Sequence, residues 1–475
     1  MGAEAYGLVG FFTMLQSWFN LLDMGLTPTV ARETARYRGG ATDVINYRRL
    51  VRAVQLIFFA VALLGTGAML ACSEVITKYW LNVNTLPLAQ VQVALQLMAM
   101  GVALRWISGL YRGWISGAEC LVWLGSLNAF VATLRFVGAL PVLIWVGHTP
   151  TVFFTYQLLV AIVELAVLFA KTRILLPAIA PGQVLGWLPT TLFAPIKPVL
   201  KLSLSIAFTS SVWVLVTQTD KLLLSKLLPL ADYGYFTLAV LAASGVLMIS
   251  GPISIALIPR MTRLHAEGNE AGLIALYRNA TQIVAAISIP ACLVLTFFAE
   301  QVLWVWTGDS QTAKQATPVL RLYAIGNGFL ALAAFPYYLQ LAKGNLKMHF
   351  LSNVFFLIFL IPSLWLATES HGSTGAGYVW AIFNAAYFFA WIPLVHRKFA
   401  ANLHKKWLLN DIAPILTTGI ATSILLLQFT SLGHNRTSAA IIISTFGALI
   451  LIACLIILKI IIMQKNRGAR KENAF

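Results

Sequence analysis

Apolar runs follow one another from end to end of the chain, separated by short polar or basic connections. Each run holds about 20 residues, enough to cross a hydrocarbon core of about 30 Å as a helix. The runs fall at residues 6–26, 50–71, 89–111, 121–146, 150–171, 200–221, 234–257, 279–299, 317–341, 347–367, 374–395, 411–430 and 438–463. This pattern predicts an all-α polytopic membrane protein with about thirteen transmembrane helices.

The apolar pattern also repeats itself. Leu95-x-Leu97-x-Ala99-x-Gly101 returns as Leu320-x-Leu322-x-Ala324-x-Gly326. At nearly the same offset, Tyr6-Gly7 returns as Tyr233-Gly234, Tyr47-Arg48 as Tyr277-Arg278, and Glu74 and Trp80 as Glu300 and Trp306. Arg32-x-Thr34 likewise recurs as Arg260-x-Thr262. The chain is therefore expected to form two repeated helical bundles, an arrangement characteristic of transporters that rock around a site near the bilayer midplane. Residues 1–171 make the first bundle and residues 200–396 the second. Between them, residues 172–199 carry Pro177, Pro181, Pro189, Pro195 and Pro198 around Trp187, which predicts a cytoplasmic linker lying at the membrane interface. Residues 397–475 have no counterpart in the repeat and read as two appended helices with a basic tail. The second copy has a helix at 200–221 ahead of its Tyr-Gly pair, whereas Met1–Ala5 alone precede Tyr6. The expectation is a fourteen-helix full-length protein whose first helix is missing here.

Composition agrees with a lipid environment, since 59% of residues are hydrophobic and 10% charged. The net charge of +17 would suggest nucleic acid, but the placement of the basic residues argues against it. Arg32, Arg36, Arg38, Arg48, Arg49 and Arg52, then Lys171, Arg173, Lys197 and Lys201, then Arg260, Arg263 and Arg278, Arg397, Lys398, Lys405 and Lys406, and the tail from Lys465 to Lys471 all fall on one side of alternating spans. This positive-inside bias predicts a cytoplasmic C-terminus, with membrane lipids and not nucleic acid as partners. Cys72, Cys120, Cys292 and Cys454 show neither metal-ligand spacing nor a disulfide framework. No P-loop is present, and no cofactor or metal is expected.

An ionisable group at the centre of a span costs about 2.5–3.5 kcal/mol on insertion scales, so each one requires a reason. Arg135 and Glu164 lie near the middle of adjacent spans and at similar depth, where an antiparallel pair would bring them together. Two readings follow: a structural ion pair, or a cavity in which Arg135 binds an anion and Glu164 couples to an ion gradient. Arg105 and Arg321 lie nearer span ends, where each either snorkels to the interface or joins Arg135 as an anion ligand. Asp220-Lys221 closes its run as a capping pair or a gate. Asp23, followed by Gly25 and Pro28, ends the first span. Trp304, Trp306, Tyr337 and Tyr338 suit an interfacial belt or packing, and the scattered histidines form no catalytic cluster.

Several segments together resemble a known family. Gly2-Ala3-Glu4-Ala5-Tyr6-Gly7, Leu22-Asp23-Met24-Gly25, Ala31-Arg32-Glu33, Thr219-Asp220-Lys221-Leu222-Leu223-Leu224-Ser225 and Pro259-Arg260 are similar to the Wzx-type lipid-linked oligosaccharide flippases. These belong to the multidrug/oligosaccharidyl-lipid/polysaccharide (MOP) exporter superfamily, whose fold is that of the MATE transporters. The resemblance covers residues 2–400 or so. It implies a bacterial inner-membrane flippase, not an enzyme, moving undecaprenyl-pyrophosphate-linked repeat units of O-antigen, lipopolysaccharide, capsule or exopolysaccharide from the cytoplasmic to the periplasmic leaflet. Other membrane proteins of polysaccharide assembly would be its partners. Two alternatives stand beside it. A cation-coupled multidrug exporter would favour acidic cavity residues, and a membrane-embedded polymerase or glycosyltransferase would carry a large catalytic loop.

Overall fold

The computed structural model describes residues 2–23, 26–40, 42–178, 211, 214–248, 250–428 and 435–472. Most of the proposed linker, and the start of the 200–221 run, lie outside the described residues. Among the described residues the structure is all-helical, the one pairing of β type being an isolated bridge between Asn82 and Pro229. Ten of the described helices are long and apolar enough to cross a bilayer, which makes this a multi-pass membrane protein. The chain divides into two compact units, Met1–Gly234 and Tyr235–Phe475.

The first unit opens with α1 (Ala3–Phe19), a 3-10 turn at Asn20–Asp23, and α2 (Leu26–Arg38). Asp23 accepts from the Thr27 amide at 3.2 Å and its hydroxyl at 2.6 Å, so the carboxylate that ends one helix caps the next. Then come α3 (Val44–Val75), which continues into a π turn at Ile76–Trp80, and α4 (Leu88–Gly117). Gly109, Gly113 and Gly117 line one face of α4 at four-residue spacing, and α2 lies against them. A Cβ on Gly113 would sit 2.7 Å from the Thr27 carbonyl oxygen, and one on Gly117 would overlap that of Ala31, so only glycine permits this backbone approach. The run at 121–146 is a bent span, α5 (Leu121–Phe136) and α6 (Ala139–Trp145). The bend is at Gly138, whose amide shares the Thr133 carbonyl with that of Val137. There the Tyr156 hydroxyl donates to the Leu134 carbonyl at 2.8 Å, and a Cβ on Gly138 would overlap the hydroxyl. The unit continues with α7 (Pro150–Leu175), capped by Thr149 with proline in its first turn, then α8 (214–227) and the first turn of α9 (Leu230–Met248). Tyr6-Gly7 and Tyr233-Gly234 meet here. A Cβ on Gly7 would overlap the Leu230 carbonyl, and one on Gly234 that of Ala3.

The second unit comprises the rest of α9, α10 (Ser250–Ala266), α11 (Glu270–Phe297), α12 (Ala299–Thr307), α13 (Ser310–Ala342), α14 (Lys347–Phe399), α15 (Leu403–Leu427) and α16 (Arg436–Glu472). Helix α14 doubles back at Gly372, which has φ 59° and ψ −143°. The rings of Phe356 and Phe383 lie 5.1 Å apart across this hairpin, and a Cβ on Gly375 would overlap the Ala367 carbonyl. The two runs 347–367 and 374–395 are therefore separate antiparallel spans.

Helix for helix, α1 and α2 match α9 and α10, α3 matches α11, the π turn at Ile76–Trp80 matches α12, and α4 matches α13. The bent α5–α6 and α7 match the two arms of α14. The fold thus consists of two repeated helical bundles. The repeated glycines serve packing. Gly326 leaves room for Trp380, whose Cδ1 would be 2.5 Å from an added Cβ and whose ring stacks on Tyr323 at 5.5 Å.

Candidate functional site

Helices α4 and α7 carry polar groups at heptad spacing on facing sides, Arg105 and Arg112 on one, Gln157 and Glu164 on the other. Arg105 Nη2 donates to Gln157 Oε1 at 2.6 Å, and Arg112 donates to Glu164 Oε1. Both pairs are separated by 52 positions, so the two helices run in the same direction and in register. The antiparallel α5 adds Arg135, whose carbonyl accepts from Gln157 Nε2 at 3.0 Å and whose guanidinium donates to Glu164 Oε2. Each oxygen of one carboxylate therefore meets a guanidinium from a different helix. The Arg105 guanidinium carbon also lies 4.9 Å from the centre of the Phe12 ring, a cation–π contact from α1.

The cluster holds three guanidinium groups and one carboxylate. Glu164 is 1% exposed, whereas Arg112 and Arg135 keep 31% and 21% of their side-chain surface accessible. The carboxylate thus forms the back of the site and the guanidinia its accessible front. The Nε atoms of Arg105 and Arg135 are buried without a hydrogen-bond partner among the described residues. At a rise of about 1.5 Å per residue, Arg112 lies about 8 Å, and Arg105 about 18 Å, from the end of α4 at Gly117. The site is therefore inside the span, toward the end of the unit that bears the arginine-rich connections.

Arg135, Glu164 and Arg105, all singled out from the sequence, come together here, with Arg105 bonded to Gln157. Arg112 was missed; its signal is the heptad it shares with Arg105, repeated by Gln157 and Glu164 on α7. Arg321 is exposed on α13 in the second unit, with no ion pair among the described residues. Asp220 and Lys221 do not close a helix, because α8 continues through the leucines at 222–224 to residue 227. Lys221 Nζ donates to the Thr217 carbonyl at 2.6 Å and lies 3.4 Å from Asp220 Oδ1.

The second unit has a buried polar cluster of its own that the sequence did not reveal. Arg278 on α11 makes a two-pronged pair with Asp411 of α15 at 2.6 and 2.8 Å, and Gln282 donates to the same carboxylate at 2.5 Å. Beside it, Trp407 Nε1 donates to Thr281 Oγ1 at 3.1 Å, Tyr277 meets His396 Nε2 at 2.7 Å, and His396 meets His404 at 3.1 Å. These contacts bind the appended α15 to the repeated core of its unit.

A family model described as polysaccharide biosynthesis protein matches residues 151–313. No curated protein matches the chain. Among solved structures, the lipid II flippase MurJ in an inward closed conformation superposes with a TM-score of 0.70 at 12% identity, covering 96% of each chain. The inward-facing conformation of a multidrug resistance MATE family transporter of the MOP superfamily gives a TM-score of 0.67 at 15% identity, over 84% of this chain and 93% of that one. The fold is that of the MOP superfamily transporters.

Proposed function

We propose that this protein is a flippase that moves undecaprenyl-pyrophosphate-linked oligosaccharide repeat units from the cytoplasmic to the periplasmic leaflet of a bacterial inner membrane for polysaccharide assembly. The observation that carries this reading is the cluster within the first unit in which two arginines share the buried Glu164 carboxylate and a third, Arg105, is held beside them by Gln157. A glycan and a pyrophosphate cannot cross hydrocarbon unaided, whereas a polyprenyl tail can stay in lipid. Guanidinium groups match phosphate oxygens in charge and fork geometry, so a cationic pocket within the span replaces the hydration that the head group loses. Arg135 and Arg105 contact the anion within the first bundle, with Asp220 and Lys221 as a gate. Alternating access of the two bundles carries the head group across, with the basic connections and the C-terminus on the cytoplasmic side. The MATE likeness supports a second reading, a cation-coupled drug exporter, but the excess of guanidinium over carboxylate favours an anionic cargo.

Transport by purified protein in liposomes tests this. Protein-containing vesicles loaded with fluorescent undecaprenyl-pyrophosphate-linked oligosaccharide should expose it to an external glycosidase faster than protein-free vesicles with the same load do. No acceleration, together with uptake of a cationic dye against a gradient, would overturn the flippase reading in favour of the exporter.

A further inference from the structure

We propose that Arg112 and Arg135 form a diphosphate clamp, and that Glu164 is the positioning residue that holds it open, not an ion carrier. The substrate class rests on the flippase reading above; the clamp itself rests on geometry within the first unit. Glu164 spends one oxygen on each arginine and is 1% exposed, so it orients both guanidinia from behind. Two guanidinia on one carboxylate leave a surplus positive charge, and Arg105, fixed by Gln157, adds another. A structural ion pair needs only one of these arginines. The surplus matches a diphosphate diester, which carries one ionised oxygen on each phosphate.

Displacement of the carboxylate by the ligand is the less favourable alternative, because it would strand a buried charge at a cost of several kcal/mol. Arg112 and Arg135 keep part of their side-chain surface accessible, so an anion can meet them with Glu164 in place. The groups facing Glu164 support this division. Arg105 and Arg112 come from α4 and Arg135 from α5, while α6 carries no titratable side chain. On α7 itself, Tyr156 donates to the Leu134 carbonyl, and Lys171 lies over the Trp123 ring at 5.4 Å. No second acid in this set competes for the arginines.

The test is binding of inorganic pyrophosphate to the purified full chain in detergent, at fixed ionic strength, with thermal stability measured in parallel. Arg112→Gln leaves Arg135 to neutralise Glu164, so the fold should keep its melting temperature. Its pyrophosphate affinity should fall about tenfold to a hundredfold, the worth of hydrogen bonds to a charged group. Arg112→Lys should recover part of the affinity, since it restores charge without the fork. Glu164→Gln should weaken binding as well, because the clamp loses its support. Wild-type affinity in Arg112→Gln, tighter binding in Glu164→Gln, or no saturable binding by the wild type would each overturn the proposal. Should pyrophosphate binding follow Arg112 while no oligosaccharide crosses the liposome, the clamp stands and the flippase reading fails; transport unchanged in Arg112→Gln gives the reverse.

Discussion

Replacing Asp411 with alanine should loosen α15 from the core of the second unit. The Asp411 side chain is 0% exposed and accepts three hydrogen bonds, two from Arg278 and one from Gln282. Breaking a buried pair by removing one partner costs about 3–5 kcal/mol, because the other charge is left uncompensated. Arg278 retains 20% exposure, so its orphaned guanidinium keeps some contact with polar surroundings and the lower end of that range applies. At about 2–4 °C per kcal/mol for a unit of this size, a loss of about 3 kcal/mol lowers the melting temperature by about 6–12 °C. Size-exclusion chromatography of heated, detergent-solubilised protein reads this directly. Arg278→Met combined with Asp411→Leu removes both charges and should restore most of the lost stability, since apolar replacement of a whole buried pair is often neutral. A shift smaller than about 2 °C in the single variant, or a double variant no better than the single, would refute the reasoning.

Three further outcomes are expected. Gly117→Ala forces a methyl group into the Ala31 carbonyl and should cost about 1–3 kcal/mol of stability, whereas Gly125→Ala, with nothing within 4 Å, should be tolerated in the same melting assay. Arg135→Ala should abolish liposome transport at near-normal membrane abundance, because Arg112 still neutralises Glu164; a large fall in abundance would make the pair structural. Hydrogen bonds from the Thr312 hydroxyl and the Thr312 and Gln311 amides hold the Asp309 carboxyl below its ordinary value. Its cap on α13 is therefore complete above the usual aspartate range and is lost as pH falls through the lowered value. Amide exchange in the first turn of α13 should rise over that window, and an unchanged profile would count against the cap.

Much of the fold was legible because a bilayer imposes one rule, that each spanning segment be apolar and helical. The runs at 347–367 and 374–395 read as two spans because the polar stretch from Thr368 to Ser373 separates them, and the backbone reverses within it at Gly372. The Arg135–Glu164 meeting was legible too, since depth along adjacent antiparallel spans follows from counting residues. Arg112 escaped because it lies near a helix end, where a charge needs no special explanation. Its significance appears only when α4 and α7 are seen to run in register. The Asp411 cluster escaped for a different reason. Its partners are more than a hundred positions apart in sequence, and no periodicity links Arg278 to an acid on an appended helix.

The two copies of Tyr-Arg show how duplication and addition have acted on the same motif. In the first unit the Tyr47 hydroxyl meets Thr34 at 3.1 Å and its ring stacks on Tyr37 at 4.4 Å, while Arg48 Nε is buried without a partner among the described residues. In the second unit Tyr277 meets His396 and Arg278 is neutralised by Asp411. The acid comes from α15, which lies outside the repeated part of the chain. The appended helices thus supply the second unit with a counter-charge that the first lacks, and the three-to-one excess of guanidinium over carboxylate around Glu164 deepens the contrast. An anionic head group is drawn by unneutralised charge in a low-dielectric setting, where each uncompensated guanidinium acts over a longer range than in water. For the anionic cargo proposed above, the asymmetry therefore favours the first unit as the binding unit, and favours a mainly structural part for the Arg278 network, whose charge is already satisfied.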